Sequence, residues 1–357
     1  MLCRKCNSEG TLAIRNVYFF CENCFIANIT HKFRSCLGKN TKLNLTDKAL
    51  ICLSGGISST VLLDLVINGV SLNSHKKLRI TPIFLHVTGL QDECEEAITK
   101  PLIDKCKVNH LVFHIVDVNQ FTSTENDDIN IFDIQHKLNK LSPTTRIDYI
   151  SKVKQQIFYK MAKEFECNLI FTAETNTKLS EKLLTNIVTG RGSQIENDVG
   201  FCDDRHTDIE LLRPMREITK EELYHYVRIK ELNPYYGNNL GEGNSLQSII
   251  SKFICDLQEN TPATISTICK TADKIGSEEG NKNKKYCKTC QNKIDVKSTK
   301  LTAVAAIAYS KKVSCNLKSE SIHMEDNILS ESSVFPHIYE SLCYGCSKNY
   351  CEIKTEI

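Results

Sequence analysis

A doubly wound α/β domain held between two cysteine-rich ends is the architecture this sequence predicts, on three observations. From about residue 48, near-continuous apolar runs alternate with amphipathic stretches, which is the pattern of a parallel sheet covered by helices on both faces. A glycine pair, in "SGGISST" (54–60), falls between the first apolar run and the helical stretch after it. Cysteines cluster as Cys-x-x-Cys pairs near both ends of the chain.

The first element is "CRKC" (Cys3, Cys6) followed by "CENC" (Cys21, Cys24), with fourteen residues between the pairs. Each pair forms a tight knuckle whose two thiolates bite one ion, and two knuckles complete a tetrahedral four-sulfur site. "TLAIRNVYFFC" between them alternates enough for a short hairpin, as in a zinc ribbon. "FIANITHKFRSCLGKN" then reads as a helix ending near Gly38, with His31, Lys32 and Arg34 on or near one face. It is either a nucleic-acid contact or a solvated linker.

The central domain follows. Strands are expected at 49–53, 80–87, 110–118, 168–174 and 209–215, and helices at 58–68, 92–106, 145–166, 177–189 and 219–232, with further helices at 244–258 and 261–275. His86 and His114 fall inside strands and are expected to be core residues with satisfied nitrogens. "GSEEGNKNKK" (276–285) reads as a polar linker before "CKTC" (Cys287, Cys290). Its partner pair "CYGC" (Cys343, Cys346) lies 52 residues later, as in a second zinc-ribbon-like domain with a long insertion. The expected domains are 1–40, 41–275 and 276–357.

Composition narrows the function classes. The chain has 357 residues and 41% hydrophobic content, and no apolar run reaches the roughly 20 residues of a membrane span. "MLCRKC" lacks a charged-then-apolar leader, so a cytoplasmic protein without membrane partners is expected. In a reducing compartment its 18 cysteines point to metal rather than disulfides. Net charge is +2, but residues 1–50 hold eight Lys/Arg against three Asp/Glu, and residues 276–300 hold seven against three. Positive excess at the cysteine-rich ends is a local footprint for a polyanion.

The glycine loop is an anion nest in outline. Backbone amides at a glycine-rich turn opening a helix converge on a phosphate, reinforced by the helix dipole. Gly55 and Gly56 allow close approach, and Ser54, Ser58, Ser59 and Thr60 offer hydroxyls. The Walker spacing is absent.

The stretch resembles the pyrophosphate loop (PP-loop) of the N-type ATP pyrophosphatases, Ser-Gly-Gly-x-Asp-Ser, which implies an adenine-nucleotide alpha hydrolase-like fold. Ser54, Gly55, Gly56 and Ser59 match, whereas the aspartate position is Ser58. In that family the carboxylate helps place magnesium, a task for which a neutral hydroxyl is a poorer ligand. With the two cysteine-rich ends included, nearly the whole chain resembles the tRNA thiolases. "CFIANITHKFR", "LSGGISS", "LLRPMREITKEELYHYV" (211–227), "VTGRG" (188–192) and "CYGC" are most similar to the second subunit of the eukaryotic cytoplasmic tRNA 2-thiolation complex.

The departures point the same way. Catalytic members carry a Cys-x-x-Cys near "SPTTRIDYISK" (142–152) and another cysteine near "NPYYGNNLGEG" (233–243), and neither stretch contains cysteine here. Those thiolates hold an iron–sulfur centre or handle sulfur. The Thr-Gly-His-Asn-x-Asp-Asp stretch of active relatives reads "TAETNTKLSEK" (172–182).

The resemblance therefore implies a non-catalytic subunit. Its partners would be a catalytic thiolase in a heterodimer, tRNA for lysine, glutamate and glutamine codons, and a thiocarboxylated ubiquitin-related sulfur carrier. Structural zinc is expected in both cysteine sets, no iron–sulfur cluster is expected, and ATP with magnesium is at most retained. Expected tRNA contacts are His31, Lys32, Arg34, Lys39, Arg191, Lys284 and Lys285. Two other readings stand beside this one: a self-sufficient ATP-dependent thiolase, and a zinc-ribbon RNA-binding scaffold with no nucleotide role.

Overall fold

The computed structural model describes residues 1–14, 18–41, 43–71, 77–89, 95–121, 138, 141–192, 195–206, 208–237, 243–261, 263–275, 286–294 and 342–355. The chain forms two compact units, Met1–Ser277 and Glu278–Ile357.

The first unit opens with an antiparallel hairpin, β1 (Leu12–Ile14) and β2 (Tyr18–Phe20), and a long helix α1 (Glu22–Asn40). A six-stranded sheet follows, built from β3 (Lys48–Cys52), β4 (Thr81–Thr88), β5 (Val112–Asp117), β6 (Leu169–Phe171), β7 (Cys202–Asp203) and β8 (Glu210–Leu212). Its order is β5-β4-β3-β6-β8-β7. All neighbours are parallel except the β7–β8 edge pair. The five parallel strands are those the apolar runs predict. The two-residue edge strand β7 is not, because "CD" has neither length nor alternation to signal it.

Helices α2 (Ile57–Val70), α3 (Glu95–Val108), α4 (Pro143–Glu164), α5 (Asn176–Val188), α6 (Ile195–Val199), α7 (Lys220–Ile229), α8 (Leu246–Asn260) and α9 (Thr264–Ala272) complete this unit. Local chemistry starts several of them. Ser142 caps α4 with Pro143 at its first position, where a missing amide costs nothing. Thr219 and Glu222 make a reciprocal capping box on α7. Helix α2 is apolar nearly all round and buried, including Ser59, Thr60 and Asp64, as befits a helix enclosed by neighbours.

A large hydrophobic core runs through the unit beside smaller clusters among α5, α6, α8 and α9. It joins Cys3, Leu12, Phe20, Phe25, Ile29 and Phe33 to Ile51, Leu62, Phe84 and Phe171. The N-terminal cysteine module is thus packed into the same core as the sheet.

Chain direction decides where the site sits. β3 lies between β4 and β6, so successive crossovers diverge from its carboxyl end. That is the topological switch point, where open α/β sheets bind ligands. "SGGISST" occupies it.

In the second unit, the described residues form a knuckle at 286–294 and helix α10 (Tyr344–Thr355).

Candidate functional site: a glycine-loop cleft and two four-cysteine centres

Strand β3 ends at Cys52, and the loop turns through Gly55 at φ +80° before α2 begins at Ile57. A Cβ at Gly55 would stand 2.3 Å from Ile98 Cγ2. The left-handed backbone and the close neighbour both demand glycine. Gly55→Ala is expected to destabilise the protein by about 2–4 kcal/mol, from backbone strain and overpacking together, as read by urea unfolding. An unchanged midpoint would mean that the loop relaxes freely.

The loop is held from inside. Ser59 Oγ donates to the Gly56 carbonyl at 2.9 Å, and Thr60 Oγ1 to the same carbonyl at 3.1 Å. Tyr235 donates its amide to the Gly55 carbonyl at 2.9 Å. The hydroxyls of Ser59 and Thr60 are therefore committed to the loop's own carbonyls, and both residues are buried. They brace the turn rather than face a ligand, in contrast to the donor role expected for them. Ser54 and Ser58 do line the cleft. No side chain caps α2, so its first amides open toward the cleft without intrahelical partners.

The cleft encloses about 940 Å³ at the carboxyl ends of the strands. Lys154, Lys178, Lys182, Arg213, Lys220 and Lys252 line it, against Glu95, Glu174 and Glu181. Each of these carboxylates is occupied. Glu95 accepts the Gly89 amide at 2.8 Å, and Glu181 accepts from Ser251 and Lys178. Glu174 accepts Arg213 Nε at 2.7 Å and Lys182 Nζ at 3.2 Å. Burial raises the Glu174 carboxyl, but Lys182 and Arg213 outweigh it and hold the group at about 2. Against the Thr-Gly-His-Asn-x-Asp-Asp stretch, Glu174 stands at the histidine position, and Thr177 and Lys178 stand at the two acid positions. The exchange replaces metal-seeking oxygens with a cation.

Other carboxylates do not come to the loop's aid. Asp64 is buried and bonded to Lys105 at 2.8 Å and to the Tyr226 hydroxyl at 2.8 Å. Asp203 is fully buried between Arg205 and Gln155. His86 is buried against the Leu53 carbonyl at 2.8 Å, and burial lowers its pKa. His114 stacks on Phe165. His86 is a buried core residue, as expected, whereas His114 is half-buried and held by its ring contact.

The cysteine pairs converge at both ends. Cys3, Cys6, Cys21 and Cys24 bring their sulfurs within 4.8 Å of one another, as do Cys287, Cys290, Cys343 and Cys346. The Cys6–Cys21 and Cys290–Cys343 sulfur separations are 3.5 and 3.7 Å. Four thiolates about 2.3 Å from one ion in a tetrahedron would lie about 3.8 Å apart. Both sets therefore fit a single metal ion.

The two centres are also copies of one design. In the first, the Cys3 amide bonds the Ser8 carbonyl and Asn7 bonds back to Cys3; in the second, Cys287 bonds Asn292 and Gln291 bonds back to Cys287. Asn7 and Gln291 both take positive φ, at 60° and 59°. Single bridges Leu2–Glu9 and Tyr286–Lys293 close the knuckles. In each, the second cysteine pair opens a helix, α1 or α10. Sequence reading found the pairs but not this correspondence, because knuckle hydrogen bonds leave no residue-type signature.

The expected tRNA contacts divide. His31 and Lys39 are exposed on α1, and Arg34 is half-buried. Lys32 is bonded to both oxygens of Glu222, at 2.6 and 2.8 Å, and ties α1 to α7. Arg191 is a correction: it is buried, and its guanidinium grips both oxygens of Asp148 at 2.8 Å. It ties the turn after α5 to α4, with its charge committed to Asp148. Lys284 and Lys285 lie outside the described residues.

Comparison with known proteins agrees with this anatomy. Residues 27–237 match the PP-loop domain model, and residues 245–348 match the model of cytoplasmic tRNA 2-thiolation protein 2. A protein of that name from Drosophila melanogaster is 30% identical over 87% of this chain and 81% of its own length. Another from Anopheles gambiae is 27% identical over 92% of this chain and 82% of its own. The solved U34-tRNA thiolase NcsA from Methanococcus maripaludis, with its 4Fe–4S cluster, superposes with a TM-score of 0.65 at 18% identity. The match covers 82% of this chain and 96% of that one. Among the described residues, no helix is long and apolar enough to cross a membrane. A PP-loop α/β core with a second matching model at its C-terminal side and relatives along nearly its whole length make this chain a member of the cytoplasmic tRNA 2-thiolation protein 2 family.

Proposed function

We propose that this chain is the non-catalytic subunit of a cytoplasmic complex that 2-thiolates the wobble uridine of tRNA for lysine, glutamate and glutamine. A catalytic thiolase supplies the chemistry, and a thiocarboxylated ubiquitin-related carrier supplies the sulfur. This chain contributes tRNA binding and assembly. The observation that carries the reading is the state of the cleft. It keeps the left-handed glycine turn, yet Glu174 and Glu181 are paired with cations, Glu95 accepts a backbone amide, Ser58 replaces the magnesium-placing acid, and the described residues 142–152 and 233–237 contain no thiol. The two four-cysteine centres hold structural zinc. What supports zinc is the sulfur spacing, which suits one ion and is too tight for the corners of a cubane cluster. His31, Arg34 and Lys39 on α1 are the phosphate contacts of this reading.

A self-sufficient thiolase would need a free carboxylate beside the loop, and Asp64 and Asp203 are both committed to buried partners. The test is thiolation of a tRNA with ATP and a sulfur donor, using this chain alone, its catalytic partner alone, and the pair. The expected result is no product from this chain alone and product from the pair, unchanged by Ser58→Ala. Product from the single chain would sink the proposal.

A further inference from the structure

A second feature of the cleft lies at its mouth. Tyr224 and Tyr236 are 46% and 67% exposed. They line both the main cleft and a neighbouring concavity of about 520 Å³, so together they form the ridge between the two. Cations flank the ridge on both sides: Lys220 and Lys252 in the main cleft, Arg228 in the neighbour. Lys220, Tyr224 and Arg228 recur every four residues on α7, which places them along one face over roughly 12 Å. Lys220 Nζ lies 5.9 Å from the Tyr224 ring centre. Arg228 and Lys252 are exposed and have no carboxylate partner among the described residues. Glu231 is the one acid lining the neighbouring concavity.

The helix that presents this face is rigidly held. Leu223, Tyr226 and Val227 are buried in the core, Glu222 is paired with Lys32, and the Tyr226 hydroxyl bonds Asp64. Tyr224 on this held helix, with Tyr236 beside it and exposed cations flanking both, suits bases that stack and phosphates that sit beside them. An apolar protein partner would call for fewer cations at the centre of the patch.

We propose that Tyr224 and Tyr236, with Lys220, Lys252 and Arg228, form a stacking platform for an unpaired stretch of RNA at the cleft mouth. This rests on the reading that the chain binds tRNA, and adds a place and a mode of binding.

The test is fluorescence anisotropy on the full chain, with a labelled single-stranded oligouridine and separately with a tRNA. The double variant Tyr224→Ala/Tyr236→Ala is expected to lose about tenfold or more in affinity for both probes, while Tyr224→Phe/Tyr236→Phe retains it. Arg228→Gln is expected to reduce the slope of log affinity against log salt by about one. If wild type binds both probes and the alanine pair binds as well, the platform is wrong while the tRNA-binding reading stands. If the alanine pair keeps RNA affinity but loses its catalytic partner on co-purification, the ridge is a protein interface and the proposal fails. If wild type binds neither probe, both readings fail.

Discussion

Cys3→Ala is expected to halve the bound metal and to destabilise the entire first unit. Elemental analysis should fall from two equivalents per chain to one. The physical reason lies in packing as well as coordination. Three thiolates cannot complete the tetrahedron, and metal binding at such a site is folding free energy. Cys3 is also buried in the core that continues through Phe25 and Phe33 to the sheet strands. Loss of metal therefore propagates through α1 into the α/β domain. A cost above about 4 kcal/mol is expected, which for a unit of this size is a fall of about 10 °C in melting temperature. Calorimetry of the purified variant reads it directly. A variant retaining two equivalents, or melting with wild type, would show that the N-terminal sulfurs do not bind an ion on which the unit depends.

Arg213→Ala should cost about 3–5 kcal/mol, the usual consequence of stripping one partner from a buried ionic network. Arg213 is fully buried. Its guanidinium bonds Glu174 at 2.7 Å and the carbonyls of Gly200 and Asn197 at 2.8 and 3.0 Å. It thereby joins the end of β6 to the segment around α6. The variant leaves Glu174 with Lys182 and the Thr172 hydroxyl and strips the guanidinium from two half-buried carbonyls.

A pH series separates this ionic loss from a simple cavity. The folded Glu174 carboxyl sits at about 2, below its ordinary 4.5. A depressed acid stabilises the fold above its unfolded value and loses that contribution as pH falls from about 4.5 toward about 2. In wild type, urea midpoints should fall through that window. In Arg213→Ala the carboxyl moves back toward 4.5, so the acid-dependent loss should shrink while the deficit near neutral pH remains. Parallel pH curves for the two proteins would indicate that Arg213 acts by packing alone.

The sheet was legible because burial on both faces leaves long apolar runs, and each of the five parallel strands appears within a few residues of its expected place. The N-terminal centre was legible because two knuckle spacings rarely coincide by chance. The glycine turn was legible at Gly55, whose positive φ only glycine takes without strain. Arg191 was misread because residue type marks a charge but not its partner: a lysine-rich or arginine-rich stretch looks the same whether it faces solvent or a buried aspartate. Ser59 and Thr60 were misread for a related reason, since a hydroxyl in a loop is equally able to bond a ligand or a carbonyl one turn back.

By itself the sequence determined the layer architecture, the two sulfur centres and the absence of thiols at the expected sulfur-handling stretches, because periodicity, spacing and residue type express these locally. Only the tertiary structure decided that Glu174 is silenced by Arg213 and Lys182, that Asp64 belongs to Tyr226 and Lys105, and that Tyr224 and Tyr236 share one ridge. Those facts join residues 8 to 162 positions apart. Electrostatic pairing depends on distance through space, which no local pattern along the chain encodes.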